Sequence, residues 1–151
     1  MRVFFVLLVL AGSTVPALSQ EWRASGRGEG ARAYFTLKGR PAGAEIACLS
    51  GGRLGVTAAG NGARFPADRP VTLVLSVDGM AYAGEARVEP EGAGGGSRFV
   101  RTVEGKDAAS LLAALKRGKS LEVSGPAGHV RLPLTGSGRA IAALAPACAG
   151  P

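Results

Sequence analysis

The sequence predicts a mainly β fold, an antiparallel sandwich or partly open barrel of about eight short strands with two short helices near the C-terminus. Three observations point there. Apolar residues alternate with period two in several short stretches, as in Ala31 to Leu37 and Arg53 to Ala58. Turn-forming residues punctuate those stretches, Asp78-Gly79 most sharply. Helical spacing enters only after Asp107, so the helices are not interleaved strand by strand and a doubly wound fold is disfavoured.

The chain opens on a predicted signal peptide, residues 1–19. Arg2 supplies its positive end, and Val3 to Ala11 is an apolar run well short of the roughly 20 residues that span a bilayer. Val15-Pro16 breaks the run. Ala17-Leu18-Ser19 places small residues at −3 and −1 of a cleavage site, giving Gln20 as the new amino terminus. An uncleaved anchor is the alternative, against which the short run argues. No Cys follows the site, which disfavours a lipoprotein. Residues 20–151 then form a single β-rich domain, long enough to bury a core and with no further apolar run of membrane-spanning length.

Gln20 to Gly30 is polar and Gly-rich, with Trp22 expected to tuck into a core edge. Ala31 to Leu37 is a half-buried strand, Gly39 to Gly43 a turn, and Glu45 to Leu49 a strand with Cys48 and Ile46 on one face. Ser50-Gly51-Gly52 turns the chain into Arg53 to Ala58. A loop follows to Pro70, anchored by Phe65. Val71 to Val77 and Met80 to Val88 form a hairpin around Asp78-Gly79. Glu89 to Ser97 reads as an exposed, flexible loop; its two glutamates lack the held geometry that acid–base work needs.

In Arg98 to Val103, Phe99, Arg101 and Val103 share one face. Asp107 to Lys116 is a helix with Asp107 as N-cap, Leu111, Leu112 and Leu115 on its buried stripe, and Gly118 as its stop. Leu121 to Val123 and Val130 to Leu134 form a last hairpin, with His129 at the rim of its loop. Ser137 to Ala147 closes the chain as an Ala-rich helix that Pro146 brings to its end.

The chain of 151 residues carries 18 basic and 11 acidic side chains, a balance that suits anionic surfaces as partners or, as the blander reading, serves solubility with no specific partner. The cations are spread out, and no dense basic run marks a nucleic-acid arm. Arg98, Arg101, Lys116, Arg117 and Lys119 are the candidate contacts for an anion or partner, although helix capping alone accounts for the last three. Cys48 and Cys148 are the only cysteines, and in an oxidising compartment they are expected to form one disulfide. No metal set, cofactor motif, Gly-x-Ser-x-Gly elbow or phosphate loop is present. Gly136-Ser137-Gly138 opens a helix. It reads as a tight corner close to the sheet ahead of an anion site.

The ending, with Gly136, Ala140, Leu144 and Cys148 after a strand of alternating Leu, resembles a group of small exported bacterial proteins in which an early strand Cys pairs with the last Cys. Val77-Asp78-Gly79 and the Leu111-Leu112, Leu115, Gly118 segment add to that resemblance. The type VI secretion accessory proteins of the TagO or VasI kind look like this; proteins of the invasion-associated locus B kind are a looser match. The resemblance implies an envelope-associated, non-enzymatic role and carries no catalytic residue.

The leading expectation is therefore a periplasmic or secreted, non-enzymatic binding or accessory module that meets an envelope protein or an anionic envelope polymer, with no nucleic acid and no membrane span after leader removal. Two alternatives stand beside it: a small envelope hydrolase using His129, and a structural accessory of a secretion machine.

Overall fold

A computed structural model describes residues 20–148; the predicted leader, 1–19, lies outside them. In chain order the strands are β1 (Glu21–Ser25), β2 (Arg32–Leu37), β3 (Arg40–Leu49), β4 (Arg53–Ala59), β5 (Val71–Val77), β6 (Met80–Glu91) and β7 (Gly96–Val103). Helix α1 (Gly105–Arg117) precedes β8 (Ser120–Gly125) and β9 (Gly128–Pro133), and α2 (Ser137–Cys148) follows. Among the described residues the nine strands pair antiparallel in one nearly closed, barrel-like sheet of order β1-β2-β3-β4-β7-β6-β5-β8-β9. The mainly β class and the late position of both helices are as the sequence predicts.

Period-two alternation sends one set of side chains inward: Phe35, Ile46, Val56, Leu75, Phe99 and Leu121 are all buried. The two helices plug one end of this interior. Leu111 and Leu115 of α1 and Ile141 and Leu144 of α2 are each at most 3% exposed. Burying a side chain of that size contributes about 1.5–3 kcal/mol. The Cys48–Cys148 disulfide fastens α2 to β3 at this end, with a Cα–Cα distance of 5.1 Å. Such a bond suits a non-reducing compartment.

The sheet's two outer strands meet at a seam. The Trp22 indole N–H donates to the Pro133 carbonyl at 3.1 Å. The Trp22 amide donates to the Thr135 carbonyl at 2.9 Å. The indole also packs against Phe35, with ring centroids 6.2 Å apart. Trp22 is thus 3% exposed and belongs to a strand, β1, that the sequence reading had as polar lead-in. Its pairing partners lie in β2 and beyond β9, so local pattern carries no trace of it.

Other elements depart from expectation in extent. The turn into β3 is only Lys38-Gly39, both left-handed at φ 53° and 75°, the geometry that matches hairpin twist. Pro41 and Gly43, read as turn residues, lie inside β3 at a register shift. The Glu89 to Ser97 loop is mostly structured: β6 runs to Glu91, β7 starts at Gly96, and Pro90 faces Ser97 across the pair. The N-cap of α1 is Glu104, with Asp107 in the first turn. Gly118 ends α1 in extended backbone, φ −70°; what requires glycine is space, since a Cβ would lie 2.6 Å from Val77 Cγ1. Helix α2 continues through Pro146 to Cys148, so the proline falls in its last turn, where it leaves the carbonyl four residues back without its helical donor and the helix ends two residues on.

Candidate functional site

The end of the barrel away from the helices holds an apolar recess. Phe35, Leu37, Leu73, Phe99, Val123 and Leu132 wall a cavity of about 180 Å³. It exists because the residues completing the ring are small: Ala42, Gly43, Ala58, Ala59, Gly125 and Ala127. At Gly43, left-handed at φ 73°, a Cβ would press to 3.2 Å on both Leu132 δ-carbons. At Gly125 a Cβ would press as closely on Leu73 Cδ1. Larger residues at these positions would fill the space that the plugged end fills with helix side chains.

Leu37 is 41% exposed, a large apolar residue facing water at the lip. Strand alternation puts Leu37 on the same face as Phe35, and both touch the cavity. Arg40 is Leu37's cross-strand partner, so its side chain shares that face. Arg40 is exposed, and no carboxylate lines the cavity.

Cation positions predicted from sequence do not converge. Arg101 points inward with Phe99 and Val103 and is 8% exposed. The reason lies in the path of β6. Its first half pairs with β5, its second half with β7, and the sheet opens where the partner changes. The Arg101 guanidinium fills that opening, donating to the carbonyls of Tyr82 at 2.6 Å and Ala83 at 2.9 Å. Gly84 makes room, since a Cβ there would fall 2.6–2.7 Å from the guanidinium. Burial lowers the Arg101 pKa, opposed by the charge of Asp107. A surface contact for Arg101 is therefore overturned: its donors are spent on backbone carbonyls inside the sheet.

Arg98 is on the outside but paired, Nη2 lying 2.9 Å from Glu89 Oε2. Lys116 and Arg117 form the last turn of α1, and Lys119 follows just beyond it. There the backbone N–H groups of Lys119 and Ser120 donate to the Asp78 carboxylate at 2.9 and 3.0 Å. These bonds, Lys119 first, lower the Asp78 pKa. Asp78 and Glu89 lie near opposite ends of β6, about 30 Å of extended chain apart, so Arg98 and the lysine cluster do not form one patch.

His129 Nδ1 lies 2.8 Å from Ser124 Oγ. The two are cross-strand partners, and alternation turns them to the face opposite Val123 and Val130. The Ser124–His129 contact thus lies on the outer face, while His129 itself is among the residues that line the cavity mouth. Among the described residues, no hydrogen bond or ion pair joins it to a carboxylate that would orient it.

A wider groove runs between β1 and the start of α2, past Arg23, Thr135 and Arg139. Its corner is built as the sequence predicts. Gly136 is left-handed at φ 80°, with a Cβ position 3.0 Å from the Trp22 carbonyl. The Ser137 hydroxyl is turned back onto the Leu134 carbonyl at 2.7 Å.

The residues that sequence reasoning missed are those at the mouth. The visible signal was an apolar Leu37 against Lys38-Gly39-Arg40, together with the small residues of β3 and the β8–β9 turn.

No family model matches this chain, and no curated protein matches it. Among solved structures, the crystal structure of invasion associated protein B from Bartonella henselae is similar, with a TM-score of 0.47 and 14% sequence identity. The alignment covers 82% of this chain and 96% of that one. At that level of similarity the neighbour says nothing about what the present chain binds.

Proposed function

We propose that this chain is an exported, non-enzymatic binding module, periplasmic or secreted, whose ligand enters the open mouth of the barrel. One observation carries the reading: an apolar cavity of about 180 Å³ at the unplugged end, ringed by small residues and opening beside the exposed Leu37. A dry apolar cavity of about 150 Å³ accepts benzene, and barrel mouths are favoured ligand sites. The leader-like residues 1–19 and the disulfide support export. The likeness to type VI secretion accessory proteins supports an envelope role and rests on Gly136, Ala140, Leu144 and Cys148 of the tail, with Val77-Asp78-Gly79 and the Leu111 to Gly118 segment beside them.

Titration of the oxidised protein with toluene, followed by NMR, tests the reading. Shifts confined to Leu37, Phe99, Val123 and Leu132, and abolished by Ala42→Phe at the half-buried wall, are expected. A spectrum that toluene leaves unchanged would refute it.

A small envelope hydrolase is the second reading, favoured by the Ser124–His129 contact at 2.8 Å. It requires that His129→Ala abolish an ester- or amide-cleaving activity of the purified protein. Equal turnover in both forms, or none in either, removes it.

A further inference from the structure

The lip of the cavity is cationic on one side only, and its charge is unmatched. Arg40 sits across from Leu37 in the β2–β3 hairpin, on the face that continues into the cavity through Leu37 and Ala42. Neighbouring arginines are held elsewhere: Arg32 by Glu45, Arg131 by Glu122, Arg23 by Glu21. No ion pair or side-chain hydrogen bond holds Arg40 among the described residues. The preceding Lys38, fixed in left-handed backbone by the two-residue turn, adds a second positive charge to the same hairpin tip. The cavity below is mainly apolar, with Asn61 and His129 as its polar lining residues, and has roughly one aromatic ring's capacity.

A ligand complementary to both parts has a short apolar body and one negative end. Resting on the reading of the mouth as a binding site, we infer that the ligand class is a small arylalkyl carboxylate, its ring among Phe35, Phe99 and Val123 and its carboxylate on Arg40. Arginine suits this task because its planar fork meets a carboxylate with two parallel N–H donors. Because the lip is exposed, the charge contributes selectivity more than affinity, and salt screens it.

The experiment compares phenylacetate with phenylacetamide, which keep the ring and differ in charge, by NMR titration of wild type and Arg40→Gln at low and high salt. Toluene serves as the uncharged control. Wild type is expected to bind phenylacetate at least about threefold more tightly than the amide, a preference that shrinks in salt and vanishes in Arg40→Gln. Toluene binding is expected to stay the same in that exposed-site variant. Equal affinity for acid and amide, or a preference that survives Arg40→Gln, overturns the inference and leaves the binding site standing. Failure of all three compounds to shift the mouth residues overturns both.

Discussion

The two ends of the barrel are built to opposite rules. At one end β3 and β4 present Cys48 and Leu54, two helices bury Leu111, Leu115 and Leu144 against them, and a covalent bond holds the plug. At the other end the same two strands present Ala42, Gly43 and Ala58, no helix is stacked over them among the described residues, and a leucine stands half in water. Large side chains and a cross-link fill and fasten the interior at the helical end. Small side chains leave a gap at the other. The lesson is that a strand can carry both instructions within ten residues, as β3 does.

The largest test of this contrast is removal of the clasp. Replacing both cysteines by serine should cost up to about 4–5 kcal/mol, the chain-entropy value for a loop near 100 residues, read by urea denaturation. Under conditions where the variant stays folded, toluene should still bind the mouth. Concerted loss of binding and clasp would show that the two ends are one unit. Next, Leu144→Ala at the plugged end should cost about 2–5 kcal/mol, because it leaves a void in a packed interior. Leu37→Ala at the lip should stay within about 0.5 kcal/mol while weakening toluene binding.

Arg101 lies between the two ends, and Arg101→Met should cost about 1–3 kcal/mol because the Tyr82 and Ala83 carbonyls lose buried donors. A stability unchanged by that substitution, with partner binding lost, would return Arg101 to the surface role that sequence assigned it.

The smallest effect is at Asp78. Its folded pKa lies below the ordinary carboxylate value of 3.8, so its contribution is present above that value and fades as pH falls below it through the folded pKa. Acid titration of wild type against Asp78→Asn should show the variant losing that pH-dependent component. Identical acid profiles would assign the bonds to Lys119 and Ser120 no linkage at all.

The strands that alternate cleanly were legible because one face is buried and the other wet; β4, β5 and the Asp78-Gly79 hairpin follow directly. The disulfide was legible from count and compartment. Trp22's strand was not, since its edge is completed by Pro133 and Thr135, more than 100 positions away. Arg101 was placed on the correct face by its neighbours Phe99 and Val103, yet its charge was read as exposure. The split in β6 that accepts the guanidinium is a property of three strands together. The cavity escaped because periodicity records which residues point inward and not whether their volumes fill the interior.

Consider finally what the indole of Trp22 waits for. Its acceptor is 111 positions downstream, so a chain threaded into a new compartment from its N-terminus would hold an open-sided sheet until nearly its whole length had been delivered. The wall cannot shut before Pro133 and Thr135 are in place. Any truncated product missing the residues around Pro133 would present an unzipped edge to whatever quality control patrols its surroundings.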